Sequence, residues 1–137
     1  MRLVLDSNVI VAAFAARGIC AALFEYCVEN HEVVLCAEIL EEVERALVRK
    51  VGLPRAVARD ILVYLRREAE LATPAAIDAE VCRDKDDAPV LGAAVAGGCS
   101  YIITGDADLL SIGRHEGVHI VSPREFWERM KAPKGRK

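Results

Sequence analysis

Leu3-Val4-Leu5 is an apolar run closed at once by Asp6, and this pattern constrains the fold more than any other in the chain. So short and uniform a run suits a strand buried on both faces of a parallel sheet, with the acid at its carboxyl end. Val33-Val34-Leu35-Cys36, Tyr101-Ile102-Ile103-Thr104 and His119-Ile120-Val121 repeat the signal. Between them lie helical stretches. One starts at Asn8, breaks at Arg17-Gly18 and resumes from Ala21 to Glu29. From Ala37 to Lys50, Ile39, Leu40, Val43, Ala46 and Leu47 recur at helical spacing. A further helix opens at Pro54 and runs to Leu71, with Val57, Ile61, Leu62 and Leu65 expected inside and Arg55, Arg59, Arg66 and Arg67 outside. Ala88 to Ala96 is a small-residue helix closed by Gly97-Gly98, and Ser122-Pro123-Arg124-Glu125 forms a capping box for a helix from Phe126 to Met130.

Strands alternating with helices predict an α/β fold, a three-layer α/β/α sandwich around a parallel sheet of four or five strands. A chain of 137 residues is enough for one core. Residues 1–130 are expected to form a single domain, followed by a frayed basic tail from Lys131 to Lys137. The hydrophobic share is 53% but the aromatic share only 5%, so Ala, Val, Leu and Ile build the core and few rings remain for stacking on bases. The net charge of −3 gives no general pull toward nucleic acid, and any contact with it must be local. Cys20, Cys27, Cys36, Cys82 and Cys99 are scattered and odd in number, and read as buried thiols of a reducing compartment. No apolar run approaches the ~20 residues of a membrane span, and a cytoplasmic protein is expected.

Ligands of open α/β sheets bind outside the carboxyl ends of the strands. Here those positions are acidic. Asp6 follows the first strand, Asp106 and Asp108 follow the third, and Asp87 opens the helix leading into it. Helical periodicity places Glu42 and Glu44 at opposite edges of one apolar arc and leaves both as candidates, while Glu38 and Glu41 point farther out. Clustered carboxylates repel one another unless protonated or bound to metal. Hard oxygen ligands select Mg2+ or Mn2+, and two such ions about 3.5–4 Å apart support hydrolysis of a phosphodiester.

With these residues in place the chain resembles the PIN-domain family, in particular its toxin components of toxin–antitoxin pairs, the VapC-like ribonucleases. Leu5-Asp6-Ser7-Asn8 resembles the D-x-N opening, and Cys36 to Glu42 the S-x-x-x-x-x-E stretch. Asp84-Lys85-Asp86-Asp87 resembles the D-x-x-D helix start, and Thr104-Gly105-Asp106-Ala107-Asp108-Leu109-Leu110 the T-G-D-x-D-L-L turn. The resemblance covers residues 1 to about 128. It implies Asp6, Glu42, Asp87 and Asp106 as an acidic quartet, with Asp108 as a fifth metal ligand and Asn8 and Thr104 as orienting residues. It also implies an RNA substrate, a homodimer and an antitoxin partner. Cys36 departs from the family's usual Ser or Thr.

Each residue also has a plainer reading. Asp87 could only cap a helix, Asp106 and Asp108 only shape a turn, and the four arginines only solvate a helix face. The same arginines could instead track a phosphate backbone. His115 and His119 read as surface residues, because Gly117 breaks any helix that would align them. Rival functions on this fold are a silent RNA-binding scaffold, a Mg2+-dependent phosphatase and a receiver-like signalling domain.

Overall fold

Residues 1–16 and 18–131 are described by a computed structural model. Strand β1 (Arg2–Leu5) is followed by α1 (Ser7–Ala15), α2 (Ile19–Asn30), β2 (Glu32–Leu35) and α3 (Ala37–Ala46). Then come α4 (Arg55–Glu68), β3 (Glu70–Leu71), α5 (Ala88–Ala96), β4 (Tyr101–Ile103) and α6 (Ala107–Ile112). Strands β5 (Arg114–His115) and β6 (Val118–Val121) and helix α7 (Pro123–Lys131) complete the order. Arg17 and the tail beyond Lys131 lie outside the described residues.

The sheet order is β3-β2-β1-β4-β6-β5. Five strands run parallel and only β5 is antiparallel, so the parallel sheet has the upper of the two expected sizes. Leu3 pairs with Val33 on one side and Tyr101 on the other, and Ile102 pairs with Ile120. The core is the aliphatic set the sequence foretold: Leu3, Val4, Leu5, Val34, Leu35, Ile102 and Ile103 are fully buried. Helix α5 lies against β1, β2 and β4, with Val90, Leu91, Gly92, Ala93 and Ala94 buried along it. Helix α2 packs against both α1 and α7. Helices thus flank the sheet in three layers.

Helix α3 does not run on regularly to Lys50. Its last turn, Leu47–Val51, is a π-helix that ends at Gly52, whose φ of 85° is left-handed. Leu53 N–H then donates to the Leu47 carbonyl at 2.9 Å and satisfies the helix end. Helix α4 stops at Glu68 rather than Leu71, because Glu70-Leu71 pairs with Val34-Leu35 as an edge strand. Its inner face is Ala58, Leu62 and Leu65, with Ile61 half-buried, while Val57 is 42% exposed. Five residues before Leu62, Val57 sits about 140° around the helix from it and cannot share its face. Residues 107–112 form a helix where only a turn was expected.

Four of the five cysteines are buried and Cys20 is half-buried, with no disulfide among the described residues. Burial pushes the Cys27 thiol up to about 12, and those of Cys36 and Cys99 up to about 11, so all three stay protonated and inert. Among the described residues no single helix is long and apolar enough to cross a membrane.

Candidate functional site

Strand order reverses at β1 and β4, which makes the crevice beyond their carboxyl ends the topological switch point of the sheet. Asp6 N–H donates to the Ile103 carbonyl at 3.0 Å, extending the β1–β4 ladder by one rung and setting Asp6 beside Thr104. Both residues are buried. Asp6 Oδ1 accepts the Ser7 amide at 2.8 Å, and Oδ2 accepts Thr104 Oγ1 at 2.8 Å and Asn8 Nδ2 at 3.0 Å. A carboxylate has about four acceptor positions, so one on Oδ1 stays free. Burial raises the Asp6 pKa, the hydrogen bonds from Thr104, Ser7 and Asn8 oppose that rise, and the charge of Glu42 adds to it.

Thr104 serves two acids. Its Oγ1 also accepts the Asp106 amide at 2.9 Å, while Asn8 Oδ1 accepts the Gly105 amide at 2.8 Å. Asp106 caps α6 through Oδ2, which accepts Leu109 N–H at 3.2 Å. Asp87 behaves differently. It opens α5 with helical backbone angles and its side chain caps nothing. Asp84 caps that turn instead, accepting the Asp86 amide at 3.0 Å. The plain capping role therefore belongs to Asp84, and the Asp87 carboxylate is left facing other acids. Burial, a hydrogen bond shared with Asp106, and the charges of Asp106, Asp84 and Asp6 push Asp87 up to about 8.

Glu42 and Glu44 part company in three dimensions. Glu42 Oε1 accepts Ser7 Oγ at 2.7 Å, which ties α3 to the start of α1 beside Asp6. Glu44 lines a separate depression with Arg55 and Arg59. Asp108 brings a carboxylate oxygen within 4.8 Å of those of Asp84 and Asp87. Sequence reasoning passed over Ser7 and Asp84 as site residues, although Ser7 adjoins Asp6 and Asp84 begins the D-x-x-D stretch. Cys36 precedes α3 without a side-chain cap bond, and its Sγ lies 3.9 Å from the Pro89 carbonyl. Residues His115 and His119 fall on β5 and β6, and His119 packs against Tyr101. Of the four arginines of α4, Arg55 and Arg59 line the groove against α3, and Arg66 and Arg67 do not.

Carboxylate oxygens gathered at the end of a parallel sheet, one raised to about 8 by burial and by its acidic neighbours, fit a hard divalent cation. Fold and site together define a class, α/β/α proteins with a carboxylate centre at the switch point of the sheet. The family model for the PIN domain matches residues 2–108, and the chain belongs to the PIN-domain family. No curated protein matches it in sequence. Among solved structures it is similar to VapBC2 from Rickettsia felis bound to a DNA fragment from their promoter, with a TM-score of 0.60 and 12% identity. That match covers 89% of this chain and 98% of the other.

Proposed function

We propose that the protein is a divalent-metal-dependent endoribonuclease and the toxin of a toxin–antitoxin pair. The observation that carries this reading is Asp87, a carboxylate that caps nothing, faces Asp106, Asp84 and Asp6, and is pushed up to about 8 by burial and by those neighbours. Asp6, Glu42, Asp87 and Asp106 would hold Mg2+ or Mn2+, with Asp108 and Asp84 at its margin. The metal, when bound, supplies Lewis-acid polarisation of the phosphate and charge neutralisation in the displacement.

The chain's own groups do the placing. Asn8 and Thr104 fix Asp6 from one side and the 105–106 turn from the other, so the two acids keep their spacing. Ser7 holds one oxygen of Glu42 and leaves Oε2 for a water. In the hydrolysis that water oxygen bonds to phosphorus, its proton passes to a carboxylate or solvent, and the bond from phosphorus to the leaving oxygen breaks. The partners that fit this reading are RNA, an antitoxin and a second copy of the chain, acting in the cytoplasm. The family and the likeness to a VapBC2 structure support it.

Cleavage of a mixed RNA ladder by the purified protein, with Mg2+ or Mn2+ beside EDTA and Asp6→Asn controls, tests the proposal. Metal-dependent internal cuts that Asp6→Asn abolishes are expected. A folded protein that binds metal but cuts no RNA would favour a silent scaffold.

A further inference from the structure

Helices α3 and α4 pack against each other, and between them runs a groove of about 380 Å³ that carries Arg45, Arg49, Arg55 and Arg59. Glu41 and Glu44 also line it, outnumbered two to one. Among the described residues, every ion pair engages Arg2, Arg129 or His115. None of the four groove arginines makes a side-chain hydrogen bond either, among the same residues. Unpaired guanidiniums converging on open space, in a chain whose net charge is −3, are a local anion site against an acidic background.

The groove leads toward the carboxylate centre. Arg45 lines it and also two neighbouring depressions, both of which reach Glu42, one in company with Lys85 and the other with Lys50. Helix α4 descends from this end, since its carboxyl end delivers the chain into β3, parallel to β2. Arg55 and Arg59 therefore sit toward the carboxyl ends of the strands, where Asp6 and Asp106 lie. Arg66 is seven residues farther down, about 10 Å along the axis.

We propose that the α3–α4 groove binds the phosphate backbone of single-stranded RNA on one side of the bond to be cut, with Arg45, Arg49, Arg55 and Arg59 as its contacts. This rests on the nuclease reading above. Arginine suits the task because its planar fork pairs two-point with a phosphate, and on α4 a spacing of four residues sets Arg55 above Arg59. With so few aromatic residues in the chain, binding there is to backbone rather than by base stacking.

The test is fluorescence anisotropy of a labelled single-stranded RNA of about twelve nucleotides, titrated with the full chain over a range of salt. Ca2+ replaces Mg2+ so that the acids are occupied by an oxygen-seeking cation. Each lost phosphate contact lowers the log–log salt slope by about 0.7 on a single strand, so Arg49→Gln/Arg59→Gln should lower it by about 1.4. At 0.1 M salt that corresponds to binding weaker by about 25-fold. An unchanged slope, or no binding of RNA by the unaltered chain, overturns the proposal. So does an equal or larger loss in Arg66→Gln/Arg67→Gln, which would put the backbone on the outer face of α4. Tighter capture of a decaglutamate peptide than of RNA also overturns it, and makes the groove a site for an acidic protein segment. Failure of the nuclease reading looks different: no cutting with Mg2+ or Mn2+, while the salt slope still responds to Arg49 and Arg59.

Discussion

Thr104 Oγ1 donates to Asp6 Oδ2 at 2.8 Å and accepts the Asp106 amide at 2.9 Å, so one fully buried hydroxyl sets the distance between two acids that follow neighbouring strands. Thr104→Val keeps the shape and removes both bonds. It leaves the Asp106 amide unpaired and Asp6 with less support for its charge. Loss of such an orienting partner typically costs 10–100-fold in metal affinity. We expect a drop of about 10-fold in Mn2+ affinity by calorimetry, largely restored in Thr104→Ser. Unchanged affinity in the valine variant would show that the strand ends alone set the spacing.

Ser7 Oγ reaches Glu42 Oε1 at 2.7 Å across two helices. Glu42 is otherwise exposed and free to turn outward, so this bond is what keeps it over the sheet end. In Ser7→Ala the cleavage rate should fall about 5- to 10-fold, near the net worth of one ordinary intramolecular hydrogen bond, about 1–1.4 kcal/mol. The fall should be smaller than in Glu42→Gln and should not add to it. Full additivity in the double variant would show that Ser7 acts elsewhere.

The raised Asp87 pKa makes a prediction opposite in sign to the usual carboxylate. Its folded value of about 8 lies above the unfolded value near 4, so the folded protein binds more protons between them. Stability without metal therefore falls as pH rises from 4 to 8, and Asp6, raised in the same direction, adds to the fall. Thermal melts in EDTA should show a Tm that declines over that window, with a shallower decline in Asp87→Asn. Saturating Mg2+ should cancel most of it above pH 7 by replacing the proton. A Tm that climbs from pH 4 to 8 in EDTA would contradict the acidic packing around Asp87.

The strands that end just before Asp6, Cys36 and Thr104 are legible in the sequence because each is an apolar run buried on both faces. Glu70-Leu71 and Arg114-His115 were not, since two-residue strands have no periodicity and are defined only by their partners. Helix α6 was hidden inside a turn motif, although an Asp106 cap followed by Leu109, Leu110 and Ile112 carries its signal. Periodicity placed Glu42 and Glu44 at the two edges of one arc. Only the neighbouring α1, through Ser7, distinguishes them. Arg45 and Arg49 were likewise invisible as a groove, because a helix wheel does not say which helix faces it.

Gly92 sits inside α5, where glycine ordinarily weakens a helix by about 1 kcal/mol relative to alanine. Here the alanine should be the worse residue. A Cβ at this position would collide with the backbone carbonyl of Ala75 and stand 3.0 Å from Pro74 Cβ. The contact cannot open freely, because Ala75 N–H donates to the Gly92 carbonyl at 3.0 Å and fastens the irregular segment that leads to Asp84. Forcing an extra carbon into such packing costs about 1–3 kcal/mol, which outweighs the gain in helix propensity at the upper end and cancels it at the lower. Gly92→Ala should therefore lower Tm by a few degrees, at about 2–4 °C for each kcal/mol. It should also weaken metal binding, because the segment that shifts carries Asp84 beside Asp87 and Asp108. A Tm raised by Gly92→Ala would mean that residues 74–75 yield without resistance, and that the close approach of this segment to α5 does not help position the acids.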